Sequence, residues 1–509
     1  MSDTSANNKR IAKNTIFLYM RTLLLMFISL FTSRIILNVL GVEDYGIYNV
    51  VGGFVALFSI ITGTLTTAIS RYLTFELGKG SDNKLRIVFS TAVNIQFAMA
   101  AIMLLLIEFV GVWYITSVMN LPSGRESATL LVLHCSAITF AINLLSIPYN
   151  ASIIAHEKMD VFAYISIFEA VLKLIVAYSI YVTIFDRLVS FAVLQLFVAL
   201  ILRMFYGMYC SRHFDECRYK FIIDKPLLKE MSNFAGWNFI GNSVFLLSDY
   251  GINLLINGFF GVAVNAARGI AQQVNSAVTQ FVNNFTTALN PQITKNYAAG
   301  NLSYMHSLIC KGAKFSYFLL LFFAIPLCLE TESLLSVWLG NVPDYAVIFT
   351  RLSIISSLTV VFANTLVVAI QATGDIKKYQ IVTGIIVGLD IPITYVAFNL
   401  GFSPIAAYVI YTIIYFIMIF VRLLLIKDRI QLPFSLYFRE VILRAFFVTL
   451  VAIPIPLMAS LVITHPLIRF IAVLCTSILL SSFSIFFIGL NRKERDLIVK
   501  TVMLKIKTI

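Results

Sequence analysis

Arg34, Arg71 and Arg268 are cations set in or beside apolar surroundings. Asn265, Arg268, Gln272, Ser276, Thr279, Asn283, Thr286 and Asn290 form a polar run with steps of three or four residues. Such steps place the run on one face of a helix. From 265 to 290 that face extends about 37 Å, longer than a hydrocarbon core of about 30 Å. Amides and hydroxyls find no partners in lipid, so the face must meet protein or water. One or two amides suit packing between helices, whereas a full-length stripe with an arginine suits a hydrated cavity better. Guanidinium groups match phosphate oxygens in a two-pronged geometry. Amides and hydroxyls match sugar hydroxyls, and the rings of Tyr45 and Tyr48 suit sugar C–H faces. An amphiphile with phosphate, sugars and an apolar tail would use all three.

Two carboxylates, Asp249 and Asp390, lie well inside apolar segments. A carboxylate in a membrane cavity can exchange a proton or hold Na⁺. For Asp249 the alternative is a salt bridge, with Arg268 as partner. Glu169 and Lys173, four apart in the favourable order, read as a structural pair. Glu108, Arg203, Arg351 and Arg422 sit near segment ends, where snorkelling is the default, and Arg21 is read the same way. No G-x-x-x-x-G-K-[ST], G-x-S-x-G or H-E-x-x-H occurs, so no catalytic residues are assigned. The six cysteines and five histidines show no disulfide framework and no metal-ligand spacing. Neither a metal nor a cofactor is expected, beyond Na⁺ or H⁺ as a coupling ion.

The elements that must position these residues follow from composition. The 509 residues are 59% hydrophobic and 12% charged, with a mean hydropathy of +0.89. Soluble domains carry about 25% charge, so this is an all-α polytopic membrane protein. We read about fourteen spans, at 14–40, 45–70, 87–113, 127–150, 161–184, 188–211, 232–257, 262–290, 308–329, 346–371, 379–400, 404–426, 441–463 and 468–490. With the N-terminus in the cytoplasm, 25 of the 38 Lys and Arg fall between spans on the cytoplasmic side and two, Arg125 and Arg187, on the opposite side. The net charge of +13 is therefore a topology signal with both termini cytoplasmic, and no nucleic-acid partner is implied.

A shift of 220 residues places Gly41 on Gly261, Thr66-Thr67-Ala68 on Thr286-Thr287-Ala288, Gly80 on Gly300 and Lys158 on Lys378. An even number of spans per half makes the repeat parallel. The expected organisation is two six-helix lobes, 1–224 with its basic loop and 225–428, followed by two extra C-terminal helices and a basic tail over 429–509. Asp224-Lys225-Pro226 reads as the linker between the lobes. The softer counterpart of the polar stripe is Tyr45, Tyr48, Gly52, Ala56, Ser59, Gly63, Thr66 and Ser70, which suits either close helix packing or the second wall of a cleft.

The stretch Arg34-Ile-Ile-Leu-Asn-Val-Leu-Gly-Val-Glu-Asp-Tyr-Gly-Ile-Tyr48, with Ser70-Arg-Tyr72, Asn290-Pro291, Tyr297 and Gly300, resembles the Wzx-type oligosaccharide-lipid flippases of the multidrug/oligosaccharidyl-lipid/polysaccharide exporter superfamily. The resemblance implies two six-helix lobes around a central cavity and alternating access across a bacterial inner membrane. It implies an undecaprenyl-diphosphate-linked oligosaccharide as cargo, moved from the cytoplasmic to the periplasmic leaflet for O-antigen, capsule or exopolysaccharide, with a polymerase or ligase assembly downstream. Cavity cations for the diphosphate would fall on Arg34, Arg71 and Arg268. The Na⁺ site of the related lipid II flippases would fall on Asp249, with Asp390 a looser match. A multidrug exporter of the same superfamily is the alternative, and a membrane glycosyltransferase or polymerase a more distant one.

Overall fold

The computed structural model describes residues 2–117, 119, 121–222, 224–492 and 494–496. The basic tail expected beyond 496 lies outside them. Regular structure among the described residues is helical throughout, and twelve of the helices are long and apolar enough to cross a membrane. Each coincides with one of the fourteen expected spans. The two expected spans that fall outside the twelve are 45–70 and 262–290. The first is interrupted by a turn at Leu57–Phe58, and the second is a continuous helix carrying the polar stripe.

Several segments expected as loops are helical. The chain beyond Arg71 continues as the helix Ser59–Lys79, ends on Gly80 in the left-handed conformation (φ 69°), and restarts at Asp82. Asp224-Lys225-Pro226 is likewise a helix start. The Asp224 carboxylate accepts the Leu227 N–H at 3.0 Å, and Pro226 sits in the first turn, where its missing N–H costs nothing.

Both long helices, Ser2–Ala56 and Lys225–Ala298, are broken once, at Gly41 (φ 77°, ψ 173°) and Gly261 (φ 84°, ψ 177°). These torsions belong to a region that only glycine populates freely. The two breaks are the two members of one pair in the 220-residue repeat, and Gly80 and Gly300 are both left-handed as well. The repeat is therefore visible in backbone conformation as well as in residue type.

The chain separates into two compact units, Met1–Asn242 with Thr294–Gly300, and Ser243–Ile293 with Asn301–Ile509. In the N-terminal unit the helix Glu126–Ala155 lies against Asn83–Ser117 and Arg187–His213, burying Phe89, Ile107, Leu133, Leu144 and Phe191. Ion pairs close its ends. Arg125 bridges Asp44 and Asp186, while the buried Glu157 takes Lys295 at 2.6 Å and Arg10 at 3.6 Å. Burial pushes the Asp186 carboxyl up, but the Val189 N–H and Arg125 outweigh it and hold it below its ordinary value.

In the C-terminal unit the helix Leu302–Leu329 is the most enclosed, with Phe318, Leu320 and Leu321 packed against Val278, Val282, Val448 and Ala452. The last two spans, Phe434–Val462 and Pro466–Gly489, pack onto it. The Lys314 ammonium at its centre meets Glu494 at 2.7 Å.

A Cβ at Gly41 or Gly261 would meet nothing within 4 Å, so the demand for glycine there is torsional, not steric. Gly41→Ala and Gly261→Ala should each lower stability by about 1–3 kcal/mol. Gly269→Ala, at a helical and equally open position, should not. Denaturant melts of the purified variants decide this, and equal stability of all three would refute it.

Candidate functional site

The C-terminal unit contains a cavity of about 300 Å³ built by five helical segments. Lys225–Gly261 supplies Ser248 and Asp249, and the helix after the Gly261 break supplies Arg268, Gln272 and Asn275. Ser353, Ser356 and Ser357 come from Ala346–Thr373, and Tyr408, Tyr411 and Tyr415 from Ile405–Ile430. The fifth wall holds Asp390, at the start of the helix Asp390–Asn399. Pro392 accounts for that start: it removes the bond to the carbonyl four residues back, at Gly388, and the helix Lys377–Gly388 ends there.

Arg268 Nη2 lies 2.5 Å from Asp249 Oδ1 and 3.3 Å from the Asp249 carbonyl. The Arg268 side chain is 16% exposed and that of Asp249 56%, so one partner is largely enclosed and the other faces open space. Asp390 is 3% exposed and has only weak donors. Ser248 Oγ stands 3.4 Å from Oδ2, and Thr394 Oγ1 stands 3.4 Å from Oδ1. The Ser248 hydroxyl is also 3.5 Å from the Val387 carbonyl, and its one hydrogen cannot serve both. A carboxylate so placed gains from a proton or a small cation. The rest of the wall is neutral and polar, with Ser357 donating to Asn275 Oδ1 at 2.8 Å and the Tyr411 and Tyr415 rings stacked at 4.2 Å.

The structure thus brings together Asp249, Arg268, Gln272 and Asp390. Other residues expected at the site stand apart from this cavity. Ser276 and Asn283 are exposed, Thr279 donates back to the Asn275 carbonyl at 2.8 Å, and Asn265 is part-buried. Arg34 is an exposed residue of the N-terminal unit, and Tyr45 is part-buried there. Arg71 is 7% exposed, with its guanidinium against the Tyr72 and Phe75 rings at 4.5 and 4.7 Å and near Phe234 at 5.7 Å. Tyr48 lines a second cavity, of about 220 Å³, within the N-terminal unit.

The two cavities correspond. Tyr48, Gly52, Val55, Ser136 and Gln195 line the first, and each stands 220 residues before a lining residue of the second: Arg268, Gln272, Asn275, Ser356 and Tyr415. Glu169 falls one position out of register with Asp390. The repeat has kept the place of a polar hollow in each unit and changed its chemistry.

The fold is that of known transporters. A MATE structure in a bent conformation matches with a TM-score of 0.72 at 12% identity, over 84% of this chain and 96% of that one. An outward-facing multidrug resistance MATE family transporter of the MOP superfamily matches at 0.70 and 13% identity, with the same coverage. A MOP superfamily transporter from Pyrococcus furiosus Vc1, described as having a binding pocket of reverse polarity, matches at 0.70 and 11%, again over 84% and 96%. At such identities the likeness establishes the fold. No curated protein sequence matches the chain. Residues 11–297, more than half of it, match the model of the polysaccharide biosynthesis protein family, and the chain belongs to that family. The chain thus combines membership of the polysaccharide biosynthesis protein family with a fold shared by transporters of the MOP superfamily.

Sequence reasoning missed Ser248, Asn275, the three serines and the three tyrosines of the cavity. A signal was present: Ser353, Ser356 and Ser357, and Tyr408, Tyr411 and Tyr415, recur at helical steps on otherwise apolar segments. Arg268 and Asp249 should couple by about 1 kcal/mol, small because one partner is half open to solvent. A double-mutant cycle of Asp249→Ala and Arg268→Ala on denaturation measures it, and strict additivity would show that the pair contributes nothing.

Proposed function

We propose that this chain flips an undecaprenyl-diphosphate-linked oligosaccharide from the cytoplasmic to the periplasmic leaflet of a bacterial inner membrane by alternating access. The product would feed a polymerase or ligase that builds O-antigen, capsule or exopolysaccharide. The observation that carries the reading is the guanidinium of Arg268 in a polar cavity of an otherwise apolar unit, in a chain of the polysaccharide biosynthesis family. An arginine held in low dielectric by one half-open carboxylate can exchange that partner for a phosphate oxygen without leaving either charge bare. Arg34 and Arg71 are the further cations assigned to the diphosphate, and Tyr45, Tyr48, Asn265, Gln272, Ser276, Thr279 and Asn283 to the sugars. Na⁺ or H⁺ at Asp249 and Asp390 would couple the cycle to a gradient. Both termini would lie in the cytoplasm, and the chain would act without covalent chemistry.

A specific observation favours a second reading. Asp390 is a buried carboxylate in a cavity walled by stacked tyrosines, surroundings that also suit an organic cation. Drug export by the same fold would then show as drug sensitivity of a deletion strain with normal surface glycan.

In a deletion strain, lipid-linked oligosaccharide should accumulate on the cytoplasmic leaflet. Complementation with Arg268→Ala should fail by at least about tenfold in surface glycan at unchanged protein level. Arg21→Ala should complement, since Arg21 stacks on Phe162 at 4.5 Å and is assigned an anchoring role. Asp390→Asn should leave the cargo bound but abolish the response of transport to an imposed Na⁺ or H⁺ gradient. Equal failure of Arg21→Ala and Arg268→Ala would mean that both arginines anchor helices, and the reading would be wrong.

A further inference from the structure

The cavity of the N-terminal unit differs from its twin in one decisive respect: its charges cancel internally. Lys173 Nζ lies 2.6 Å from Glu169 Oε1, one turn apart on the helix Met159–Ser179. The other polar groups are the Tyr48, Ser136 and Thr139 hydroxyls and the Asn143 and Gln195 amides, all lining the same hollow of about 220 Å³. Tyr48 supplies a ring, held edge-on to Phe191 with centroids 4.8 Å apart.

Each class of occupant can be weighed against these groups. A free cation or anion would give up hydration on entry and find no net charge in return, because Lys173 and Glu169 neutralise each other at 2.6 Å. An apolar chain would cover two amides and three hydroxyls without giving them partners, a desolvation penalty with no return. A ring bearing several hydroxyls avoids both penalties. Its hydroxyls donate and accept, as primary amides do, and its C–H face lies against an aromatic ring. A hollow of about 220 Å³ has room for one six-membered sugar ring.

We propose that the N-terminal cavity, through Tyr48, Ser136, Asn143 and Gln195 with the neutralised Glu169–Lys173 pair, binds one uncharged sugar ring of the cargo. This rests on the flippase reading and extends it, since the twin cavities then divide the work. The C-terminal one handles charge and the N-terminal one reads the glycan. Gly52 provides a blocking variant. It lines the hollow, and a Cβ built there would meet nothing within 4 Å, so a substitution adds volume at the lining without a clash at its first atom.

The test uses the full chain in lipid nanodiscs with three probes: undecaprenyl diphosphate, the same lipid carrying one N-acetylglucosamine, and free N-acetylglucosamine. The wild type should bind the glycosylated lipid about tenfold more tightly than the bare one, a ratio that corresponds to about 1.4 kcal/mol. Gly52→Leu, and separately the pair Asn143→Leu with Gln195→Leu, should bring that ratio to within about twofold of unity and leave affinity for the bare lipid unchanged. Millimolar free N-acetylglucosamine should slow hydrogen exchange over 136–143 in the wild type and not in Gly52→Leu. A sugar preference that survives in all the variants would overturn the proposal, as would its absence from the wild type. If neither lipid binds, the flippase reading fails by itself, and protection by the free sugar still decides whether the cavity is a sugar site.

Discussion

The pairing of Arg268 with Asp249 depends on a break in a helix. The two residues are 19 apart in sequence, and on an unbroken helix they would stand about 28 Å from each other. The torsions of Gly261 end one helical run and begin another, so that the guanidinium comes back to 2.5 Å from the carboxylate. A charge inside a membrane must be hydrated or partnered, and the partner must be brought to it by the backbone. The same economy operates across the cavity, where Pro392 ends a helix at Gly388 and presents Asp390 in the opening turn of the next segment.

Once such a unit exists, duplication makes a second one nearly free of new design. Gly41 repeats the torsions of Gly261, and five lining positions of one cavity recur at a constant spacing in the other. Backbone breaks are conserved between the halves because helix direction depends on them. Side chains at the hollow are not held to the same demand, and here they have diverged from Tyr48 to Arg268 and from Gln195 to Tyr415. A parallel duplication with diverged pockets gives one chain two hollows of different chemistry.

Much of the fold could be read from the sequence because apolar length is a strong signal. All twelve of the apolar spans were legible, and so was the pairing of Gly41 with Gly261. Helix ends were less legible. Hydropathy reports only the part of a helix that meets lipid, and helices such as Ser59–Lys79 continue beyond it on local bonding and caps. At the site, Asp249 and Asp390 stood out as charges on apolar segments, and Arg268 and Gln272 as members of a polar run at helical spacing. The serines of Ala346–Thr373 did not, since a short hydroxyl can satisfy itself on its own backbone, as Thr350 and Thr412 do, and the tyrosines of Ile405–Ile430 did not because an aromatic ring passes for apolar lining. Their role depends on which helices are neighbours, and no single helix carries that information. Of the polar stripe, Arg268 and Gln272 line this cavity, while Thr279 and Thr286 bond within their own helix.

The central claim is that this chain alone moves a lipid-linked glycan between leaflets. The most direct measurement is a reconstitution of the purified protein into vesicles carrying a fluorescent undecaprenyl-diphosphate oligosaccharide. A membrane-impermeant quencher then reports the fraction of label in the outer leaflet over time. The account predicts that label exchanges between leaflets faster than in protein-free vesicles. Exchange no faster than in protein-free vesicles, with the cargo demonstrably bound and an ion gradient imposed, would contradict it.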